Sequence, residues 1–216
     1  MNNGDIMNLL LQIIQAKTII EQKGFEIEKS IFNRSNQNNG VKLVEKFEYE
    51  SQIYFEDQVK EIYYNYLSID LQWFANVNFK KYYGAFTMIT LDQSLKYHND
   101  LINLYYDSVD YADDYPNPER VLDEIVNFYP IFIFNDGNAF CLDKRTSNIV
   151  FFDHSVFEFY DENFNGKLIA NSYSELIERW SMILFLEQFW WSKDSLNNDG
   201  INLTSHSIAE FIRLIN

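Results

Sequence analysis

The sequence predicts a single α+β domain: an antiparallel-dominated sheet flanked by helices that pack mainly on one side and at its ends. Three observations lead there. Three strand-sized runs rich in Ile, Val and Phe (131–134, 139–142 and 149–152) are joined by the polar turns 135–138 and 144–148, the pattern of an antiparallel meander. Gly137 supplies the positive φ that a tight turn demands, and Asn135, Asp136 and Asn138 tolerate such turns best. Behind the meander, Ser172 and Glu175 form a capping box, and Tyr173, Leu176, Ile177, Trp180 and Leu184 recur at helical spacing, which gives one apolar face to lay on that sheet. Finally, the 216 residues are 47% hydrophobic with only 3 prolines and 7 glycines, enough for one sizeable core and too few breakers for a linker-rich or disordered chain.

Taken in order, Ile6, Leu9, Leu10, Ile13, Ile14, Lys17 and Ile20 mark an amphipathic helix with Asp5 as N-cap and Gly24 just past its end. Phe25, Ile27 and Ile31 then alternate imperfectly with polar residues. After the polar loop 33–40, Val41, Leu43, Phe47 and Tyr49 alternate with Lys42, Lys46 and Glu48. This predicts a hairpin with one wet face, interrupted at Val44 and Glu45. Phe55, Val59, Ile62, Tyr63 and Tyr66 return to helical spacing, and 71–77 and 84–89 read as strands separated by the polar connection 78–81. Thr90 or Asp92 caps a helix carrying Leu95, His98, Leu101, Ile102 and Tyr105 on its apolar side. The acidic tract 107–119 holds two prolines and reads as an exposed loop. Asn117 and Pro118 start a short helix that runs to Val126. Beyond the capping-box helix, 196–200 is a loop and 207–215 a last helix. No internal repeat or linker divides residues 1–216; the N-terminal helix and hairpin, 5–50, form an extension of one domain.

Composition narrows the function classes. No apolar run reaches membrane-spanning length, and Leu9–Leu11 is followed too soon by Gln12, Gln15 and Lys17 to be a signal-peptide core. The one cysteine, Cys141, lies in a strand-like run and reads as a buried inert thiol. A cytoplasmic protein is the expectation. With 17 Lys and Arg against 32 Asp and Glu, the formal charge is −15. Such a surface repels nucleic acid and anionic membranes. It favours a basic protein partner, or serves only to keep an aromatic-rich chain soluble.

Candidates for catalysis are few. His154 beside Asp153 is the most enzyme-like pair, but adjacent strand residues point to opposite faces, so a structural role at a strand end is favoured. His98 and His206 stand alone, and no zinc-ligand spacing exists. Asp136, Asn138 and Asp143 carry part of a calcium-loop pattern without its glycine or terminal glutamate spacing. Phosphate-binding Gly-rich loops and nucleophile elbows are absent. The expectation is therefore no catalytic residue, no metal and no cofactor.

Recognition chemistry is better supplied. Tyr106, Asp107, Asp110, Tyr111, Asp113, Asp114, Tyr115 and Glu119 interleave tyrosines with carboxylates, giving stiff contact area beside bidentate partners for arginine. A second acidic, aromatic stretch carries Glu158, Asp161 and Glu162 among Phe157, Phe159 and Tyr160. Phe189, Trp190 and Trp191 form a third cluster, read as core rather than interface.

Several of these stretches resemble the SUKH superfamily, also called the SMI1/KNR4 family. The resembling features are the Pro-led strand PIFIF, the turn NDGN, the strand ends FCLD and IVFFDH, the helix opening SYSEL and, upstream, GAFTMITLDQSL running into a helix. The likeness is clearest over 84–180; the family's opening Trp-containing helix and Leu-Pro are not matched. The resemblance implies an immunity protein with no catalysis of its own. Its partner would be a cognate protein toxin with a basic face, of the nuclease class, held by the acidic, aromatic residues named above. A regulatory or scaffolding protein of the same family is the alternative, and a hydrolase using His154 and Asp153 a second. The oligomeric state is left open.

Overall fold

The computed structural model describes residues 8–109, 118–154, 165–188, 191 and 193–216. Helix α1 (Asn8–Gln22) buries Leu9, Ile13, Ala16 and Ile20 and stops at Gly24. There the Phe25 N–H reaches back to the Ile20 carbonyl at 3.1 Å, as a left-handed cap provides. The expected cap Asp5 lies outside the described residues.

Strand β1 (Glu26–Arg34) follows, but the hairpin expected over 25–50 does not form. Residues Gln37–Ser51 are helix α2, capped by the Asn36 side chain, which accepts from the Asn38 N–H at 3.1 Å. Gly40, Val44, Phe47 and Ser51 bury one helical face. The alternation of Val41, Leu43, Phe47 and Tyr49 is an accident of overlap with this 3.6-residue period; Tyr49 is exposed. Helix α3 (Asp57–Asn65) then leads into β2 (Tyr66–Val77) and β3 (Lys80–Met88). Asn78 and Phe79, at φ +52° and +64°, close that hairpin with the two left-handed residues its twist favours.

Thr90 caps α4 (Leu91–Val109): its hydroxyl accepts from the Gln93 N–H at 3.1 Å, while Gln93 accepts from the Thr90 N–H at 3.0 Å. Because α4 runs to Val109, Asp107 belongs, with Tyr106 before it, to the last turns of that helix rather than to the exposed loop expected over 107–119. Helix α5 (Pro118–Ile125) begins at the expected proline. The meander forms as β4 (Phe128–Ile133), β5 (Ala139–Asp143) and β6 (Ile149–Phe152). It is extended by the short β7 (Leu168–Ala170). Helix α6 (Tyr173–Ser181) has the expected capping box, with the Ser172 hydroxyl accepting from the Glu175 N–H at 3.1 Å. Leu184 is buried but not helical: Leu184 and Phe185, at φ +52° and +59°, form a left-handed turn instead. Two tryptophans hold it, Trp73 Nε1–H donating to the Leu184 carbonyl at 2.7 Å and Trp180 Nε1–H to the Leu186 carbonyl at 3.0 Å. The tract 196–200, expected to be a loop, includes the hairpin of β8 (Leu196–Asn197) and β9 (Gly200–Ile201); α7 (His206–Ile215) follows.

The fold is α+β, as the sequence predicts: β1 to β7 form one antiparallel sheet in chain order, with a small β8–β9 ribbon beside it. In β2 the buried residues Ile69, Leu71, Trp73 and Ala75 alternate with partly exposed ones, so that half of the sheet has one covered face. Strands β5 and β6 are buried at every position, because this half is covered on both sides. Phe140, Leu142, Ile149 and Phe151 face the main core, to which helices α1, α2, α3, α6 and α7 contribute. Cys141, Val150 and Phe152 face a smaller second core, closed by Val121 and Ile125 of α5 with Leu101 and Ile102 of α4. Burial pushes the Cys141 thiol well above its ordinary pKa, which keeps it protonated and inert. No helix among the described residues is long and apolar enough to cross a membrane.

Candidate functional site

Of the expected partner-binding residues, Asp110, Tyr111, Asp113, Asp114, Tyr115, Glu158, Asp161 and Glu162 lie outside the described residues. Tyr106 and Asp107 sit near the C-terminal end of α4, and Glu119 in the first turn of α5. What the structure does describe is where the two acidic, aromatic stretches are rooted. The first is bounded by the end of α4 and the start of α5. The second leaves the end of β6 and returns at Asn165. Asn165 spans the roots: its side-chain N–H donates to Glu124 of α5 at 2.7 Å, and its side-chain oxygen accepts from the Asp153 N–H at 3.4 Å. Val121 and Ile125, on the same helix, pack with Val150 and Phe152 of β6. The described ends of both stretches thus border α5, which packs on the second-core face of the sheet.

Helix α5 adds charge of its own. Asp123 is exposed, and Arg145 of the β5–β6 turn approaches it at 3.8 Å. The same guanidinium grips the buried Asp143 through two nitrogens, Nε and NH2, at 3.0 and 2.8 Å, and lies 5.9 Å from the Phe128 ring centre. Arg145 is therefore committed to its own turn. Composition pointed to the two stretches, but Glu124 and Asn165, 41 residues apart, carry no local signal that they meet.

The two members of the enzyme-like pair differ in exposure. Asp153 is buried. His154 is exposed, and its ring is oriented by an amide: the Asn138 side-chain oxygen accepts from both the His154 N–H and Nδ1, each at 2.9 Å. Asn138 in turn donates to Asp136 from its side chain at 2.9 Å and from its backbone at 3.0 Å. This chain fixes His154 as the Nδ1–H tautomer whenever it is neutral. Among the described residues no hydroxyl or thiol hydrogen-bonds to His154, and no cluster of three His, Cys, Asp or Glu side chains is placed to hold a metal ion. Of the aromatic cluster 189–191, Trp191 is described: half-buried, it stacks on Phe140 at 5.9 Å.

Asp136 also accepts from Gln188 at 2.7 Å, beside Glu187. Burial, then the charges of Asp136 and Glu28, hold the Glu187 carboxyl above its ordinary value of 4.5. A carboxyl whose folded pKa is raised contributes stability below its unfolded pKa and loses it as the pH rises through the folded value. Glu187→Gln is therefore expected to raise the melting temperature at neutral pH, with the gain closing below about pH 4. A melting series from pH 3 to 8 checks this; an unchanged or lower melting temperature at neutral pH would count against an uncompensated carboxylate here.

Compared with known proteins, the chain matches no family model, no curated protein and no solved structure.

Proposed function

We propose that this protein is an immunity protein, which binds and neutralises a cognate bacterial toxin of the nuclease class and performs no catalysis itself. One observation carries the reading: the two acidic, aromatic stretches are rooted against one helix, α5, through the Asn165–Glu124 bond and the α5–β6 contacts. Common roots let two stretches act as one binding face. A nuclease must display cationic groups where it grips phosphates, and a chain of formal charge −15 complements them. The resemblance to the SUKH superfamily supports the same class.

The test is co-expression with the toxin domain encoded by an adjacent reading frame, followed by binding kinetics on the purified pair. The wild-type chain is expected to restore growth. Changing Asp107, Asp110, Asp113 and Asp114 together to Asn removes four charges at nearly constant shape. That variant is expected to fold normally but associate more slowly, with a shallower salt dependence. At least one of the four single changes should also speed dissociation, since truncating a desolvated, paired carboxylate costs ~2–5 kcal/mol. Wild-type kinetics at low salt in the quadruple variant would exclude the first stretch, and growth arrest despite expression of the wild-type chain would overturn the function.

A further inference from the structure

We propose that residues 49–57, the end of α2, the turn after it and the first residue of α3, form a second docking surface, one that takes an arginine-bearing protein segment. Its rings are conspicuous: Tyr49 and Tyr54 are 79% and 69% exposed. Neither ring contributes to a core, whereas their neighbours do. Ser51, Ile53 and Phe55 point inward, while Gln52, Tyr54 and Glu56 alternate with them on the outside.

The turn is also rigid. Gln52 is held at φ +62°, and its N–H closes onto the Glu48 carbonyl at 3.0 Å. The Ser51 hydroxyl donates to the Phe47 carbonyl at 2.7 Å and accepts from the Ile53 N–H at 3.1 Å. The Glu48 carboxylate accepts from the Phe55 N–H at 2.9 Å and pairs with Lys60 at 2.9 Å. A surface already fixed in the free protein loses little conformational entropy when a partner docks.

Its charge selects the partner. The nearby lysines are spent, Lys60 on Glu48 and Lys46 on Asp92 at 2.7 Å. Glu50 and Asp57 are exposed; Lys46 and Lys60 feel their charges but give their hydrogen bonds to Asp92 and Glu48 instead. Among the described residues, Glu56 accepts from two neutral donors, Ser174 at 2.5 Å and Gln58 at 3.0 Å. Exposed tyrosine faces and exposed carboxylates in one short segment suit a guanidinium, which stacks on a ring while its edge hydrogen-bonds a carboxylate. A lysine ammonium is more strongly hydrated and cannot do both with one planar group. This inference stands apart from the immunity reading, because it concerns residues on the main-core side and needs no toxin.

The test titrates the isotopically labelled full chain with the peptide acetyl-Gly-Arg-Gly-Arg-Gly-amide and with its lysine counterpart, recording amide shifts at low salt. The arginine peptide is expected to shift the amides of 49–57 most and to bind about threefold tighter than the lysine peptide. The Tyr49→Ala, Tyr54→Ala double variant replaces two exposed rings; it should keep a folded spectrum and lose that preference. Shifts concentrated elsewhere, equal response to both peptides, or a double variant that binds like the wild type would each overturn the proposal. If the double variant fails to fold, Glu50→Gln with Asp57→Asn replaces it, with weakened arginine-peptide binding expected and unchanged binding overturning the proposal.

Discussion

Trp180→Ala is expected to leave little folded protein at physiological temperature. Trp180 is fully buried on α6 and sits where the two halves of the sheet share one core. Its ring meets Phe140 at 4.9 Å, Phe132 and Phe185 at 5.4 Å, Phe86 at 5.8 Å and Phe134 at 5.9 Å. Removing so large a ring from a packed core costs ~3–5 kcal/mol. The same change orphans the Leu186 carbonyl, which accepts the indole N–H at 3.0 Å; an unmet buried acceptor adds ~1–3 kcal/mol. Together these approach the ~5–15 kcal/mol by which a whole domain is stable. Trp180→Phe separates the two causes, since it keeps most of the packing and loses the donor. Denaturant melts of both variants check the expectation, and a loss under ~1 kcal/mol in the alanine variant would mean the ring is not a shared keystone.

Gly200→Ala is expected to be far more damaging than Gly24→Ala, although both glycines have positive φ, +92° and +69°. A Cβ at Gly24 would meet nothing within 4 Å, so the cost is that of a left-handed backbone for a non-glycine residue, about 1–2 kcal/mol. A Cβ at Gly200 would lie 2.1 Å from the Ile169 carbonyl oxygen and 2.6 Å from its carbon. That obstacle is backbone in β7, which no rotamer change can move aside. The β8–β9 ribbon would have to lift off the sheet edge, exposing the buried Ile201. Melting temperatures of the two variants side by side test this, and equal losses would show that conformation rather than close approach dominates at Gly200.

How much of this was legible in the sequence follows from how local each cause is. The meander could be read because the turn at Gly137 and the apolar runs beside it are contiguous. So could the starts of α5 and α6, where Pro118 and the Ser172–Glu175 pair act within one helical turn. Helix α2 was misread as a strand because Val41, Leu43, Phe47 and Tyr49 fit an alternation as well as Val44, Phe47 and Ser51 fit a helix. The real partner of β1 is β2, with Phe32 opposite Ile69, and no local pattern announces a pairing across an intervening pair of helices. Leu184 has helical spacing from Trp180, yet the chain reverses there because two indole N–H groups, one from the distant β2 and one from the end of α6 just before it, stabilise a left-handed turn. For the candidate site, the acidity and the tyrosines were visible in composition. Their common root on α5 was not, since it depends on Asn165 reaching a helix 41 residues earlier.

The roots of the second acidic stretch are held largely by uncharged amides: Asn138 on the His154 side and Asn165 on the other. Hydrogen bonds of a neutral amide are not weakened by dissolved ions as an exposed ion pair is. Raising the salt would therefore weaken any long-range attraction to the basic partner proposed above without loosening the roots of this stretch. Electrostatic reach and mechanical anchorage become separately adjustable, and a salt titration of association reads the first while leaving the second in place.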